Sequence, residues 1–139
     1  MDSLMAPGAG RRGRVVTRIR VSVANGGRSV SRQLLIPVDA GSVFLILPRR
    51  VLESLGIEPV RRATFFIDGR GRLDREVGIA TVRYRGVLAG TEVIFGETGD
   101  LCGLGLVPLK QLGLEVNPRS GRIRKAVPPL LPFRTTREA

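Results

Sequence analysis

Two periodicities alternate along this chain of 139 residues. From Arg14 the pattern has period two: Val15, Thr17, Ile19, Val21 and Val23 share one face, and Arg18, Arg20 and Ser22 the other. Successive side chains of extended backbone leave on opposite sides, so this spacing predicts an amphipathic strand. Asn25-Gly26-Gly27 offers the positive-φ residues of a hairpin turn, and a second strand is expected from about Val30 to Val38. After Asp39-Ala40-Gly41-Ser42 comes an apolar run, Val43 to Leu47. There the period lengthens: Pro48 opens a short helix with Val51, Leu52 and Leu55 on one face and Gly56 as its stop.

Residues 60–67 return to strand spacing, and Asp68-Gly69-Arg70-Gly71-Arg72 predicts an exposed, mobile hairpin tip. Strands are expected through roughly 74–85 and 87–95, reversing near Gly86. Leu101-Cys102-Gly103 precedes a second short helix that contains Pro108, Leu109 and Leu112 and stops at Gly113. Asn117-Pro118-Arg119-Ser120-Gly121 then turns the chain into a final strand near 122–127. Each half thus repeats the order of strands, glycine-containing loop and short Pro…Leu…Leu-Gly helix. The expectation is one mostly-β domain over residues 14–126, with a disordered basic leader at 1–13 and a Pro-rich, basic tail at 127–139.

Composition agrees with this layout and narrows the chemistry. Eighteen Gly, nine Pro and no Trp favour strands and turns over a helical bundle, and 42% hydrophobic residues suffice for a core. No apolar stretch approaches the roughly 18 residues of a membrane span, and the N-terminus has no apolar signal-like region. The expected location is therefore cytoplasmic, with no membrane partner. The absence of His removes Ser-His-Asp and Cys-His catalysis and every His-ligated metal site. A single Cys102 removes intrachain disulfides and cysteine-clustered zinc. Carboxylate chemistry, amine chemistry or no chemistry remains, with no metal and no cofactor.

The net charge of +11 lies mostly at the ends. Residues 1–20 hold five Arg against one Asp, and residues 119–139 hold six basic residues against Glu138, which leaves +2 for residues 21–118. Weak, nonspecific polyanion binding through the termini follows from this distribution, whereas 4% aromatic residues give no obvious platform for base stacking.

Asp39 stands out against this background as a lone carboxylate between two apolar runs, Leu34-Leu35-Ile36-Pro37-Val38 and Val43-Phe44-Leu45-Ile46-Leu47. An unpaired carboxylate costs several kcal/mol in a buried strand environment. Such a group needs a good partner or a chemical use, and the small residues after it suggest a loop that presents it. The bland reading is an Asx-type turn capping nearby amides.

The order strand, Asp39-Ala40-Gly41-Ser42, apolar strand, short helix, glycine-rich hairpin, strands, Leu101-Cys102-Gly103, short helix, final strand resembles a retropepsin-like aspartic protease subunit. It is closest in kind to the small bacterial single-domain members of that clan, from about Arg14 to Arg124. The resemblance implies a closed β-barrel with two short helices, half of an acid protease, working as a homodimer on an extended peptide or protein substrate. It implies Asp39 as the catalytic carboxylate of each subunit, supported by Ala40, Gly41 and Ser42. Asp68, Gly69, Arg70, Gly71 and Arg72 would form the substrate-covering flap, and Leu101, Cys102 and Gly103 would pack beside the active-site loop. Ala40 departs from the family's Thr or Ser, whose hydroxyl links the two loops across the dimer. Each missing hydrogen bond forfeits about 1 kcal/mol, so a catalytically silent peptide-binding module is an alternative. A second, shorter resemblance joins Leu47–Ile57 to AbrB-type swapped-hairpin DNA-binding dimers; under the protease reading Arg49 and Arg50 are only solvated surface residues.

Overall fold

A computed structural model describes residues 17–26, 30–67, 69 and 71–127. The leader, the tail beyond Val127, Gly27, Asp68 and Arg70 lie outside these residues. The element order is β1 (Thr17–Ala24), β2 (Ser31–Val38), β3 (Leu45–Pro48), α1 (Arg49–Ser54), β4 (Arg61–Ile67) and β5 (Gly71–Tyr84). It continues with β6 (Val87–Gly96), β7 (Gly103–Leu104), α2 (Leu106–Gln111), β8 (Leu114–Val116) and β9 (Ile123–Lys125).

The period-two face expected for β1 is the face that turns inward. Ile19, Val21 and Val23 are buried and lie over the register of β2 so that Ile19 opposes Ile36 and Val21 opposes Leu34. Burying a side chain of this size contributes roughly 1.5–3 kcal/mol, so a one-residue slip that turned this face outward would be strongly disfavoured. Of the expected turn residues, neither Asn25 nor Gly26 takes a positive φ, and Gly27 lies outside the described residues. Asn25 donates through Nδ2 to the Gly56 carbonyl at 2.8 Å, tying the connection between β1 and β2 to the end of α1.

Seven strands form one sheet in the order β1-β2-β7-β3-β6-β5-β4, and a second antiparallel contact of β1 with β5, Ser22 opposite Arg83, closes it into a barrel. The long hairpin β5–β6 reverses through Arg85 (φ 46°) and Gly86 (φ 82°), the two positive values that let a two-residue turn follow the strand twist. Both helices are as short as their Pro-to-Gly spacing implied. Gly56 and Gly113 follow them at φ of 72° and 73°, a left-handed stop that a side chain would strain. Helix α1 packs on β3 and β6 and α2 on β6 and β8, and Leu52 and Leu109 join Phe95 in the core. The Leu47–Ile57 segment that resembles swapped-hairpin DNA-binding proteins is thus part of the barrel wall and of the helix packed on it.

One close approach governs the centre of the sheet. The two residues of β7 lie between β2 and β3, Leu104 parallel to Val38 on one side and antiparallel to Leu45 on the other. The following Gly105 has φ −86° and ψ −171°, open to any residue, but a Cβ there would meet the Phe44 oxygen at 2.4 Å and the Val43 carbonyl carbon at 2.6 Å. Space, not conformation, demands glycine. Gly105→Ala is therefore expected to destabilise the fold by about 3 kcal/mol through overpacking against backbone, whereas Gly90→Ala, with nothing within 4 Å of the added carbon, should stay within about 0.5 kcal/mol. Paired chemical-denaturation curves check this; equal midpoints for the two variants would refute it.

Candidate active site

The loop from Asp39 to Phe44 joins β2 to β3, and β7 lies between the strands it connects. The Asp39 N–H donates to the Leu104 carbonyl at 3.0 Å, continuing the β2–β7 pairing by one residue. On the other side of the loop, the Gly105 N–H donates to Phe44 O at 3.0 Å, Leu106 N–H to Ser42 O at 2.7 Å and Val107 N–H to Val43 O at 2.9 Å. Every one of these bonds uses backbone, so the loop's path depends little on which side chains it carries. Within the loop, the Ser42 N–H closes a turn on the Asp39 carbonyl at 3.0 Å and the Gly41 N–H donates to Asp39 Oδ1 at 3.0 Å. The Asx-type turn anticipated as the bland reading is present. Asp39 is half-buried, Ala40 and Gly41 are exposed, and Ser42 is half-buried.

The apolar run after the loop is less buried than its composition suggested. Val43 is 50% exposed, and with the partly exposed Leu106 and Val107 it forms an apolar margin beside Asp39. Phe44 meets Phe65 of β4 edge to face, ring centroids 5.4 Å apart, an arrangement favourable for aromatic pairs. This contact links the Asp39 loop to the hairpin of β4 and β5, whose register runs from Arg61 opposite Val77 to Ile67 opposite Gly71. Gly69 and Gly71, at the tip, have φ of 78° and 76°. Near them Phe66 is 77% exposed. Gly69, Gly71 and Arg72 of the expected flap are thus found at the end of a two-stranded arm; Asp68 and Arg70 lie outside the described residues.

Leu101, Cys102 and Gly103 lead into β7. Gly103 faces Pro37 of β2, whose carbonyl oxygen would be 3.0 Å from a Cβ at this position. Leu104 and Gly105, which the sequence reading passed over, make the direct bonds to the Asp39 loop. Their signal was available in Gly103-Leu104-Gly105, two glycines on one face of an extended segment, where a backbone can be approached closely.

An ionic cluster borders this region. Arg49, the first residue of α1, donates to Glu76 Oε1 at 2.6 Å and Glu97 Oε2 at 2.8 Å, approaches Glu53 at 3.8 Å and lies 4.9 Å above the Phe95 ring. It is no merely solvated arginine, because its fork matches two carboxylates at once. Hydrogen bonding to Glu97, then to Glu76, raises the Arg49 pKa, and the same bond lowers that of Glu97. Arg75 pairs with Asp100 in the same area, and its pKa is raised chiefly by that hydrogen bond.

No family model and no curated protein matches the chain. Among solved structures it is similar to EIAV protease complexed with an inhibitor, at 18% identity over 80% of this chain and 99% of that one, with a TM-score of 0.52. This chain has the retropepsin fold. The solution structure of simian foamy virus (mac) protease is a more remote likeness, 15% identical over 66% of this chain and 88% of that one, with a TM-score of 0.41; the fold assignment rests on the first. The retropepsin fold accounts for the closed barrel, the two short helices and the strand inserted beside the Asp39 loop. Among the described residues no helix is long and apolar enough to cross a membrane.

Beside Gly96, the Cys102 thiol is buried and pushed up to about 11, first by desolvation and second by the Asp100 charge. Against an ordinary value of 9.0, its thiolate population at mildly alkaline pH should be about a hundredfold smaller than in the unfolded chain. Iodoacetamide labelling should be markedly slower in the native protein than in denaturant. Native labelling at the unfolded rate would contradict this.

Proposed function

We propose that this chain is one subunit of a homodimeric aspartic endopeptidase in which Asp39 of each copy supplies half of a carboxylate dyad. The observation that carries the reading is the seating of Asp39: its backbone bonded to Leu104 of the inserted strand, its Oδ1 accepting the Gly41 N–H, and this in a retropepsin-fold barrel. Among the described residues there is one such loop, so a dyad requires two copies. Two carboxylates brought close across a two-fold axis cannot both ionise and share one proton. The ionised one takes a proton from a bound water, which attacks the scissile amide carbonyl. The protonated one hydrogen-bonds the carbonyl oxygen as charge develops on it. The substrate is an extended peptide under the β4–β5 arm, with Val43, Leu106 and Val107 beside it; the reaction needs no metal or cofactor.

Cleavage of an unfolded-protein panel tests this. Wild type should cleave from mildly acidic to neutral pH and lose activity toward alkaline pH, as the shared proton is lost, and Asp39→Asn should abolish cleavage while remaining folded. Activity that survives in Asp39→Asn, or that keeps rising above neutral pH, would rule out the dyad.

Ala40 favours a second reading, a silent module that binds peptides without turnover. It is exposed on the loop, where a hydroxyl would be free to reach a partner copy. Under the endopeptidase reading Ala40→Ser should tighten the dimer by about 1 kcal/mol for each hydrogen bond gained, felt twice by symmetry. Sedimentation equilibrium of both proteins reads this directly. A dimer unchanged in strength would remove Ala40 as the explanation of any weak activity.

A further inference from the structure

The arm that carries Gly69 and Gly71 is held by very little of the barrel. Strand β5 stays paired with β6 only as far as Val77, which opposes Ile94, and from Glu76 back to Gly71 its register partner is β4. A two-stranded ribbon by itself is marginally stable in water. The direction of the arm must therefore be set by contacts at its root and by the Phe44–Phe65 pair.

At the root, two consecutive residues leave β5 on opposite faces, and both connect to the same turn. Arg75 grips Asp100 with two parallel bonds, Nε to Oδ2 at 2.7 Å and Nη2 to Oδ1 at 2.8 Å. Asp100 Oδ2 also accepts the Glu97 N–H at 2.8 Å, and the Asp100 N–H donates back to the Glu97 carbonyl at 2.9 Å. Glu76, on the other face, reaches the turn through Arg49, which bonds Glu76 and Glu97 together. The side chains of Arg75 and Asp100 are only 16% and 9% exposed, against 46% and 40% for Arg61 and Glu92 on the barrel side of the root. An exposed pair such as the latter is worth little. A bidentate pair withdrawn from water is different, because removing one partner strands the other's charge.

The 97–100 turn is also the approach to β7. Three residues beyond Asp100 the chain enters Gly103–Leu104, and Leu104 accepts the Asp39 N–H. One turn thus joins the root of the arm to the strand that seats Asp39. We propose that Arg75 and Asp100, with Arg49 bridging Glu76 to Glu97, form a positioning anchor that sets the arm against the Asp39 loop and so governs peptide binding rather than the chemical step. The effect on peptide binding rests on the endopeptidase reading; the mechanical role does not.

Wild type, Asp100→Asn and Arg75→Lys distinguish the two by amide hydrogen exchange and by peptide-cleavage kinetics. Asp100→Asn should speed exchange in 61–67 and 71–76 about tenfold or more while β1 and β2 keep their protection. KM should rise severalfold with kcat held within about twofold. Arg75→Lys keeps the charge but loses the fork and should fall between the other two proteins. Unchanged exchange in the arm of Asp100→Asn would overturn the anchor, as would equal loosening of arm and barrel, the mark of a general stabiliser. A fall in kcat at constant KM would overturn the claim that the anchor acts on binding. If exchange behaves as expected while wild type cleaves nothing, the anchor stands and the endopeptidase reading is the part that fails.

Discussion

The structure depends on a backbone being admitted between two others. Strand β7 contributes only Gly103 and Leu104, yet it completes the barrel between β2 and β3 and supplies the carbonyl on which the Asp39 N–H rests. Its neighbours approach its flanking glycines closely: a carbon added at Gly103 would fit tightly, 3.0 Å from the Pro37 oxygen, and one at the following Gly105 would have no room, 2.4 Å from the Phe44 oxygen. Because the loop is then held by its own N–H and carbonyl groups, the carboxylate is positioned by the main chain. Backbone donors and acceptors must be satisfied wherever they are buried, so the loop has little freedom to move without breaking several bonds together.

Around this rigid centre the molecule divides into parts of different firmness. The barrel is closed by β1, which pairs with both β2 and β5, so its core strands have no open edge. The β4–β5 arm has neither a third strand nor a buried face: much of β4 is exposed, including Phe66 near the tip. Charge does at the arm's root what apolar packing does in the barrel. Arg49 and Arg75 collect Glu76, Glu97 and Asp100 around the end of β6. Regions with few buried apolar contacts open at lower free energy than the core, so the arm is held less firmly than the barrel.

Much of this was legible in the chain. The period-two run gave β1, the segments between turn signals gave β2, β4, β5 and β6, the Pro-to-Gly spacing gave both helices within a residue or two, and Asp39 stood out because a carboxylate between apolar runs calls for an explanation. What the sequence hid shares a cause. Asn25, expected only as a turn residue, also bonds the end of α1, and Arg49 looked solvated, but carboxylates from β5 and the end of β6 converge on it. In each case the deciding partner lies 27 to 48 residues away, beyond what local propensity carries.

The sequence by itself determined the local alphabet of this protein: which segments extend, which coil briefly into helix, where the chain must turn, and which chemistries its residues rule out. Side-chain period and backbone preference are properties of neighbouring residues, so they can be read without a fold. Only the tertiary structure decided that Leu104 rather than Cys102 or Gly103 bears the Asp39 N–H, and that Arg75 and Asp100 meet. These choices follow from closing a barrel, in which a two-residue strand from the far end of the chain fills the gap left between β2 and β3.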